Sequence, residues 1–514
     1  AARVIRVPLP ADNYDGLSAN KNGLIYTVSG AGYYGRDSDR ERSLRFFAFK
    51  DRKETTLAPD MSGYALSADG AKLLVSQSSG GSSNYVIFDA SASGAGSKKP
   101  VSTAGMMYDR VPAEEWAQIF GEVWRRYRDF FYVENMHGYD WVALRTQYEP
   151  LVAHVAHRGD LNTVIAEMIA ELTVQHAYIA GGDMVLPPRA RVALPGARFE
   201  LDKATGKYRI ARIFAGQNEE ERYRAPLTEV GVQAAVGDYV LAIDGEALKA
   251  TDDPYRLLRN KADRPVTLTL NTTPTATGGR SVTFQPLASE ESLLYLDWVQ
   301  ANRKRVAELS KGRAAYLHVP DMGADGIREF IKWYYGQIDA EALVVDVRAN
   351  GGGNVSRMLI ERLRRKVLAL NYARTDSFAS TYPDGVFRGP MVAILNENSA
   401  SDGDIFPAMF REAKLGPLVG RRSWGGVVGI TNRGTLLDGG IVNVPESGFA
   451  SAKGAWVIEG YGVDPDIDVE NDPKSVIAGR DPQLERAVTE VMKLLETRGA
   501  PLPARPAAPN RTGK

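Results

Sequence analysis

The chain has 514 residues, 44% of them apolar and 25% charged, with 63 basic and 63 acidic side chains and therefore no net charge. That length exceeds one ordinary core and predicts three or four domains. The balanced charge gives no electrostatic footprint for nucleic acid or for an anionic membrane surface. The absence of cysteine excludes a thiol nucleophile, thiolate zinc sites and disulfides, and leaves the compartment open.

No apolar run approaches the roughly 20 residues that span a bilayer. The start, Ala1-Ala2-Arg3-Val4-Ile5, enters a strand-like pattern at once. It reads as the inside of a larger protein or a mature product, not as a signal peptide. Residues 1–104 are β-rich, with strands expected at Gly23–Val28, Ser43–Phe49, Lys72–Ser76 and Tyr85–Asp89. Leu66–Val75 echoes Leu17–Tyr26, and a spacing of about 50 residues fits β-propeller blades. Two blades do not close a ring, so either material outside this chain completes it or the segment is a small β domain; a plain β-sandwich fragment is the less favoured alternative to the blades.

Ser91–Pro100 reads as a linker. Residues 105–189 are predicted helical: Trp116, Phe120, Val123, Trp124, Tyr127 and Phe131 recur at helical spacing, which a core-facing helix explains. A second helix is expected over Leu161–Leu172, with Asp160 as its N-cap. Residues 190–287 predict a small β domain. Its Val236-Gly237-Asp238 turn leads into a strand that ends at the hairpin turn Asp244-Gly245, a pattern that resembles a PDZ domain. Such a module either binds an extended peptide at a sheet edge or acts as a spacer. From 288 to 496 helices and strands alternate, predicting an α/β sheet with functional turns at strand ends. The tail 497–514, rich in Pro, Ala and Arg, is expected to be disordered. The fold class is thus multidomain α+β.

The chemistry concentrates at two strand ends. Met391–Leu395 is an apolar strand followed by Asn396-Glu397-Asn398-Ser399-Ala400-Ser401-Asp402-Gly403-Asp404 and a helix. A serine at such a junction presents its hydroxyl beside helix-start N–H groups, which suits a nucleophile whose attack creates an oxyanion. Ser401 is the candidate and Ser399 the nearest rival; helix capping accounts equally for one serine. Upstream, Ala342–Arg348 leads into Gly351-Gly352-Gly353, where bare N–H groups can face a ligand. The Walker lysine pattern is absent. Of the five histidines, His154 and His157 look exposed, His137 sits in a turn and His318 in a strand, while His176 follows a helix end and can project into a cleft. Glu459, or alternatively Asp464 or Asp466, is available to orient a base. No metal-ligand cluster is present in the pattern, and no cofactor is implied.

Asn398–Pro407, Trp424–Ile430, Tyr461–Asp466, Asp346–Gly353, Arg128–Tyr132 and Asn135–Gly138 together resemble the tricorn family of serine peptidases, relatives of the carboxyl-terminal processing proteases. The similarity runs collinearly from about 105 to 490. It implies the end of a propeller over 1–104, then a helical, a PDZ and an α/β catalytic domain. It implies Ser401 as nucleophile, His176 as general base, and the amides of Asp402 and Gly352 as oxyanion hole. Glu459 corresponds to the family's orienting glutamate, which acts through a serine; here Gln175 stands in that serine's place, where its amide can bridge Glu459 and His176 or weaken the relay. The resemblance further implies oligopeptide substrates, a homohexamer, no nucleic acid or membrane partner, and a cytoplasmic location, with export as the alternative. A Ser–Lys dyad is excluded by Gly420-Arg421-Arg422-Ser423, since arginine does not deprotonate. The rival reading is an impaired PDZ-containing peptide-binding scaffold.

Overall fold

The computed structural model describes residues 6–31, 38, 40–79, 82–376, 379–498 and 503–513. The strand-like start at 1–5 lies outside them, as does part of the tail expected at 497–514. The chain forms two compact units, Ala1–Pro112 with Gly323–Arg328, and Ala113–Met322 with Glu329–Lys514.

The first unit holds two four-stranded antiparallel sheets. One is β1 (Asn13–Asn20), β2 (Gly23–Ser29), β3 (Ser43–Ala48) and β4 (Glu54–Ala58); the other is β5 (Gly63–Leu66), β6 (Lys72–Ser79), β7 (Ser82–Asp89) and β8 (Lys99–Val101). Ile25, Leu44, Phe46, Leu73, Val75 and Phe88 form a core common to both. The sequence echo places matching hairpins, β1–β2 and β5–β6, in the two sheets. Asn20 joins their turns by donating through Nδ2 to Gly70 O at 2.9 Å.

The second unit begins with helices α1 (Pro112–Phe130), α2 (Trp141–Tyr148) and α3 (Arg158–Ala170). The aromatic stripe of α1 is buried against Leu161, Ile165 and Met168 of α3. The N-cap of α3 is His157, not the expected Asp160, so the helix starts three residues early. The imidazole Nδ1 accepts the Asp160 N–H at 3.2 Å, while the Asp160 carboxylate accepts the His157 N–H, a reciprocal box. Strand β9 (Tyr178–Ala180) follows. Next come β10 (Ala197–Asp202), β11 (Lys207–Ile213), β12 (Tyr239–Ile243), β13 (Glu246–Ala247), β14 (Val266–Asn271) and β15 (Arg280–Phe284), ordered β10-β11-β12-β14-β15 with β13 on β12. Asp244 and Gly245, both left-handed at φ 50° and 81°, make the two-residue turn between β12 and β13.

The rest contains α4 (Glu291–Ser310), β16 (Ala314–His318), α5 (Ala324–Tyr335), β17 (Ala342–Asp346), α6 (Ser356–Leu363), the hairpin β18 (Ala369–Asn371) and β19 (Ser380–Tyr382), β20 (Met391–Leu395), α7 (Asp402–Glu412) and β21 (Leu418–Gly420). Then follow β22 (Gly429–Asn432), β23 (Ile441–Ser447), β24 (Ile467–Asp468), α8 (Pro473–Ile477) and α9 (Pro482–Arg498). Strands β16-β17-β20-β21-β24 form a parallel sheet in that order. Every residue of β16, β17 and β20 is buried, as expected of strands covered on both faces. Val299 and Val306 of α4 and Leu484, Val488 and Val491 of α9 cover one face. A separate sheet, β22-β23-β9, joins the C-terminal α/β region to the helical segment, because β9 pairs with β23 and Val442 and Val444 enter the core of α1 and α3. Helix α9 runs through Arg498, so the expected tail begins later than 497; residues 503–513 carry no regular element.

Arg348 locks the carboxyl end of β17. Its guanidinium bonds Asp346 at 2.7 Å and Asp481 at 2.9 Å, nearly removed from solvent. Burial pushes the Asp346 carboxyl up, but Arg348 overrides this and holds it below its ordinary range. Breaking such a pair strands a buried charge. Arg348→Met is expected to destabilise the second unit by about 3–5 kcal/mol at neutral pH. Urea unfolding tests this, and a loss under about 1 kcal/mol would show that Asp346 needs no partner.

Candidate active site

The strand–turn–helix from β20 to α7 bends at Ser401, whose φ of 59° and ψ of −122° lie outside the regions comfortable for a side chain. Ser401 precedes α7, yet its side chain makes no capping bond. Capping therefore does not explain it. Ser399 is fully buried; its Oγ donates to Val347 O at 2.8 Å and accepts the Asn396 N–H at 3.1 Å. That rival is a structural bolt between β17 and β20.

The glycine turn after β17 lies directly against Ser401. A Cβ on Gly352 would stand 2.5 Å from Ser401 Cβ and 3.0 Å from Asp402 N, so glycine alone fits there. The Gly352 N–H, however, donates to Asn350 Oδ1 at 2.9 Å. The expectation that this amide serves an oxyanion thus meets an acceptor already in place. Gly353 differs. It bridges Met322 in parallel, with Met322 N donating to Gly352 O and Asn354 N to Met322 O, which turns Gly353's own N–H away from Met322. Gly353, Ser401 and Asp402 line one cleft of about 890 Å³ with Ile360, Ile405 and Val427. The Asp402 carboxylate is occupied elsewhere, accepting from the Ser356 N–H at 2.8 Å and from the Ser356 hydroxyl.

His176 lies in the loop before β9, buried. Its Nδ1 stands 2.8 Å from Val428 O. A carbonyl only accepts, so Nδ1 carries the hydrogen and Nε2 holds the lone pair a base needs. The indole of Trp424 flanks the imidazole, with ring centres 5.3 Å apart, and Trp424 N donates to Ser399 O at 3.0 Å. Val427, the chain neighbour of Val428, lines the Ser401 cleft.

Glu459 is held by main-chain groups. Oε2 accepts from Val427 N at 2.6 Å and Val428 N at 3.0 Å, and Oε1 from Gln175 N at 3.2 Å. Ile458 before it is left-handed at φ 77°, costly for a β-branched residue. The bridge expected of the Gln175 side chain is not formed: its Oε1 is buried without a partner. Glu459 and His176 both bond to residue Val428, though to different peptide groups: its N–H meets the carboxylate, and its carbonyl, across the Cα, meets the imidazole. Asp464 pairs with Arg422 at 2.7 Å and Asp466 with Arg411 at 3.1 Å, so neither alternative orienter is free. Of the other histidines, His137 contacts Tyr132 and Leu172 O, and His318 contacts Tyr295 and Arg348 O.

Sequence reasoning missed Asn350 and Asp404. Asn350 is fully buried, donates to Val319 O at 2.9 Å, and its carbonyl accepts the Ala400 N–H at 2.8 Å. An amide directly before a glycine triplet was the available signal. Asp404 is fully buried beneath Ser401; Oδ1 accepts the Gly425 N–H at 2.8 Å, while Oδ2 has no partner. Burial pushes its carboxyl up from 3.8 to about 6, against the pull of Ser423, Gly425 and Ser401.

Residues 313–469 match the model of peptidase family S41, 112–170 the tricorn protease C1 domain and 194–289 the tricorn protease PDZ domain. Tricorn protease homolog 1 of Streptomyces coelicolor is 35% identical over 98% of this chain and 48% of its own length. Tricorn protease of Thermoplasma acidophilum is 33% identical over 94% of this chain and 44% of its own. The crystal structure of the tricorn protease superposes with a TM-score of 0.85 at 31% identity, covering 94% of this chain and 47% of that one. The chain spans about half the length of these relatives.

Asp404 gives a signed pH prediction. Its folded value lies above its ordinary one, so the native state holds a proton that the unfolded state releases between pH 3.8 and about 6. Its contribution to stability is complete below that window and lost as pH rises through it, by roughly 3 kcal/mol in all. The stability of wild type relative to Asp404→Asn should fall by that order from pH 4 to pH 7; parallel urea curves at both pH values would refute the assignment.

The serine turn, the glycine approach and the matches to all three tricorn models agree, and the chain belongs to the tricorn family of S41 serine peptidases.

Proposed function

We propose that this chain hydrolyses oligopeptides through an acyl-enzyme on Ser401. The observation that carries this is Ser401 itself, held in a left-handed turn, uncapping, at a cleft whose wall includes Gly353 and Asp402. Ser401 Oγ attacks the scissile carbonyl carbon while His176 Nε2 takes its proton. Charge gathers on the carbonyl oxygen, for which we assign the Asp402 N–H and the Gly353 N–H as donors, with Gly352, whose N–H is taken by Asn350, providing the close approach. The tetrahedral intermediate collapses, His176 returns the proton to the leaving amine, and water cleaves the ester by the same steps in reverse order.

Glu459 acts on His176 by positioning residue Val428: the carboxylate holds the Val428 N–H, and the Val428 carbonyl takes the Nδ1 hydrogen and so fixes the tautomer. The exchange of serine for Gln175 therefore does not break the relay, which removes the main support for the scaffold reading. We further read residues 1–104 as terminal blades of a β-propeller, 105–189 as a helical domain carrying His176, 190–287 as a PDZ-like domain and 288–496 as the catalytic domain. The paired hairpins of the first unit support the blades. A homohexamer is proposed on family resemblance.

Turnover of an internally quenched peptide tests the roles. Ser401→Ala and His176→Ala should each lose about 10³-fold or more in kcat. Gln175→Ala should change kcat less than about threefold, since its side chain bonds neither partner. Glu459→Gln should fall between these. Near-complete loss in Gln175→Ala with Glu459→Gln intact would show that the relay runs through the glutamine side chain instead.

A further inference from the structure

Asp404 lies fully buried in the first turn of α7, three residues after Ser401, and among the described residues no cation pairs with it. Its Oδ1 accepts the Gly425 N–H at 2.8 Å, and its Oδ2 has no partner at hydrogen-bond distance. The Ser401 N–H bonds no other acceptor among the described residues, and it is one of the groups that pull the Asp404 carboxyl down. A carboxylate at the third helical position that reaches back to the N–H of the cap residue is the acidic half of a capping box. Here the cap residue is the proposed nucleophile.

Gly425 is the junction on the other side. Its carbonyl accepts the Gly460 N–H at 2.8 Å, and Gly460 follows Glu459. Trp424 before it packs on His176, while Val427 and Val428 after it hold Glu459 and Val428 also holds His176. Gly425 is left-handed at φ 97°, and a Cβ there would stand 2.6 Å from Gly462 N, so the segment is fitted to its place. Burial pushes the Asp404 carboxyl up to about 6; the Ser423 hydroxyl and the Gly425 and Ser401 N–H groups pull it down, and the Glu459 charge adds to the rise. Asp402, on the same helix, is tied to Ser356. A buried carboxylate without a cation costs the fold at neutral pH, and such a group beside a reactive serine points to function.

We propose that Asp404 is a positioning residue whose ionised carboxylate clamps the main chain of Ser401 to the Gly425 segment that supports His176. The inference rests on Ser401 as nucleophile and His176 as base. A protonated carboxyl keeps one acceptor for Gly425, but its other oxygen becomes a donor facing the Ser401 N–H, and the clamp opens on the serine side. The strained turn at Ser401 then relaxes, and Oγ and the Asp402 N–H lose their places together. Substrate contacts elsewhere in the cleft are untouched, so the loss falls on kcat and not on KM. Turnover therefore needs two groups free of protons, His176 as base and Asp404 as clamp. The clamp is complete above the Asp404 titration and is lost as pH falls through about 6.

The test measures kcat/KM of the full chain on an internally quenched octapeptide from pH 5 to pH 8. On the acid side its logarithm should fall with a slope approaching two per pH unit in wild type and one in Asp404→Asn. At pH 8, Asp404→Asn should lose about tenfold or more in kcat with KM within about twofold. A wild-type slope of one, or wild-type kcat in Asp404→Asn, overturns the proposal. Ser423→Ala keeps the carboxyl and removes a hydroxyl that lowers it, so the acid limb should move up by about half a pH unit. An unmoved limb in that variant likewise overturns it. Fluorophosphonate labelling of wild type at pH 8 separates the two claims: no adduct on Ser401 refutes the serine mechanism, whereas labelling with a wild-type slope of one refutes the clamp alone.

Discussion

The site depends on one buried amide. Asn350 gives its side-chain N–H to Val319 O beyond β16, takes the Gly352 N–H on its Oδ1, and takes the Ala400 N–H on its carbonyl. Three strand ends are thereby fixed to one another at hydrogen-bond distance, with no solvent to loosen them. The glycine turn can then press on Ser401 closely enough that a Cβ at Gly352 would collide with it. The strained backbone of Ser401 persists because its surroundings over-determine it: the Ala400 and Gly403 amides are bonded, and Asp402 is tied to Ser356 at the start of α6.

The surroundings of His176 are built from main chain. His176 meets a carbonyl, Glu459 meets three N–H groups, and both bond main-chain atoms of residue Val428. Such an arrangement tolerates changes in side chains near it, which is how Gln175 occupies the position before His176 without entering the relay. Trp424 packs its ring, tilted, beside His176 and bonds the carbonyl of Ser399, so the His176 side chain and the Ser399–Ser401 turn share one neighbour.

Much of this was legible in the sequence because it is periodic or punctuated. The buried strand Met391–Leu395 was placed to the residue, since a fully apolar run bounded by proline and asparagine has one reading. The aromatic stripe of α1 and the Asp244-Gly245 turn were equally plain. Local signals failed where long-range contacts decide. Nothing near Gly352 in sequence tells that Asn350 captures its N–H, and nothing near Ser399 tells that Val347 captures its hydroxyl. The cap of α3 was misplaced because histidine is an uncommon capping residue, and Asp160 satisfied the pattern from inside the helix.

The central claim is that Ser401, and no other serine, is an activated nucleophile. Fluorophosphonate treatment of the purified chain, followed by peptide mapping, measures this directly. The account predicts a single adduct on Ser401 that is lost in His176→Ala. An adduct on Ser399, or a folded chain that takes no label, would contradict it.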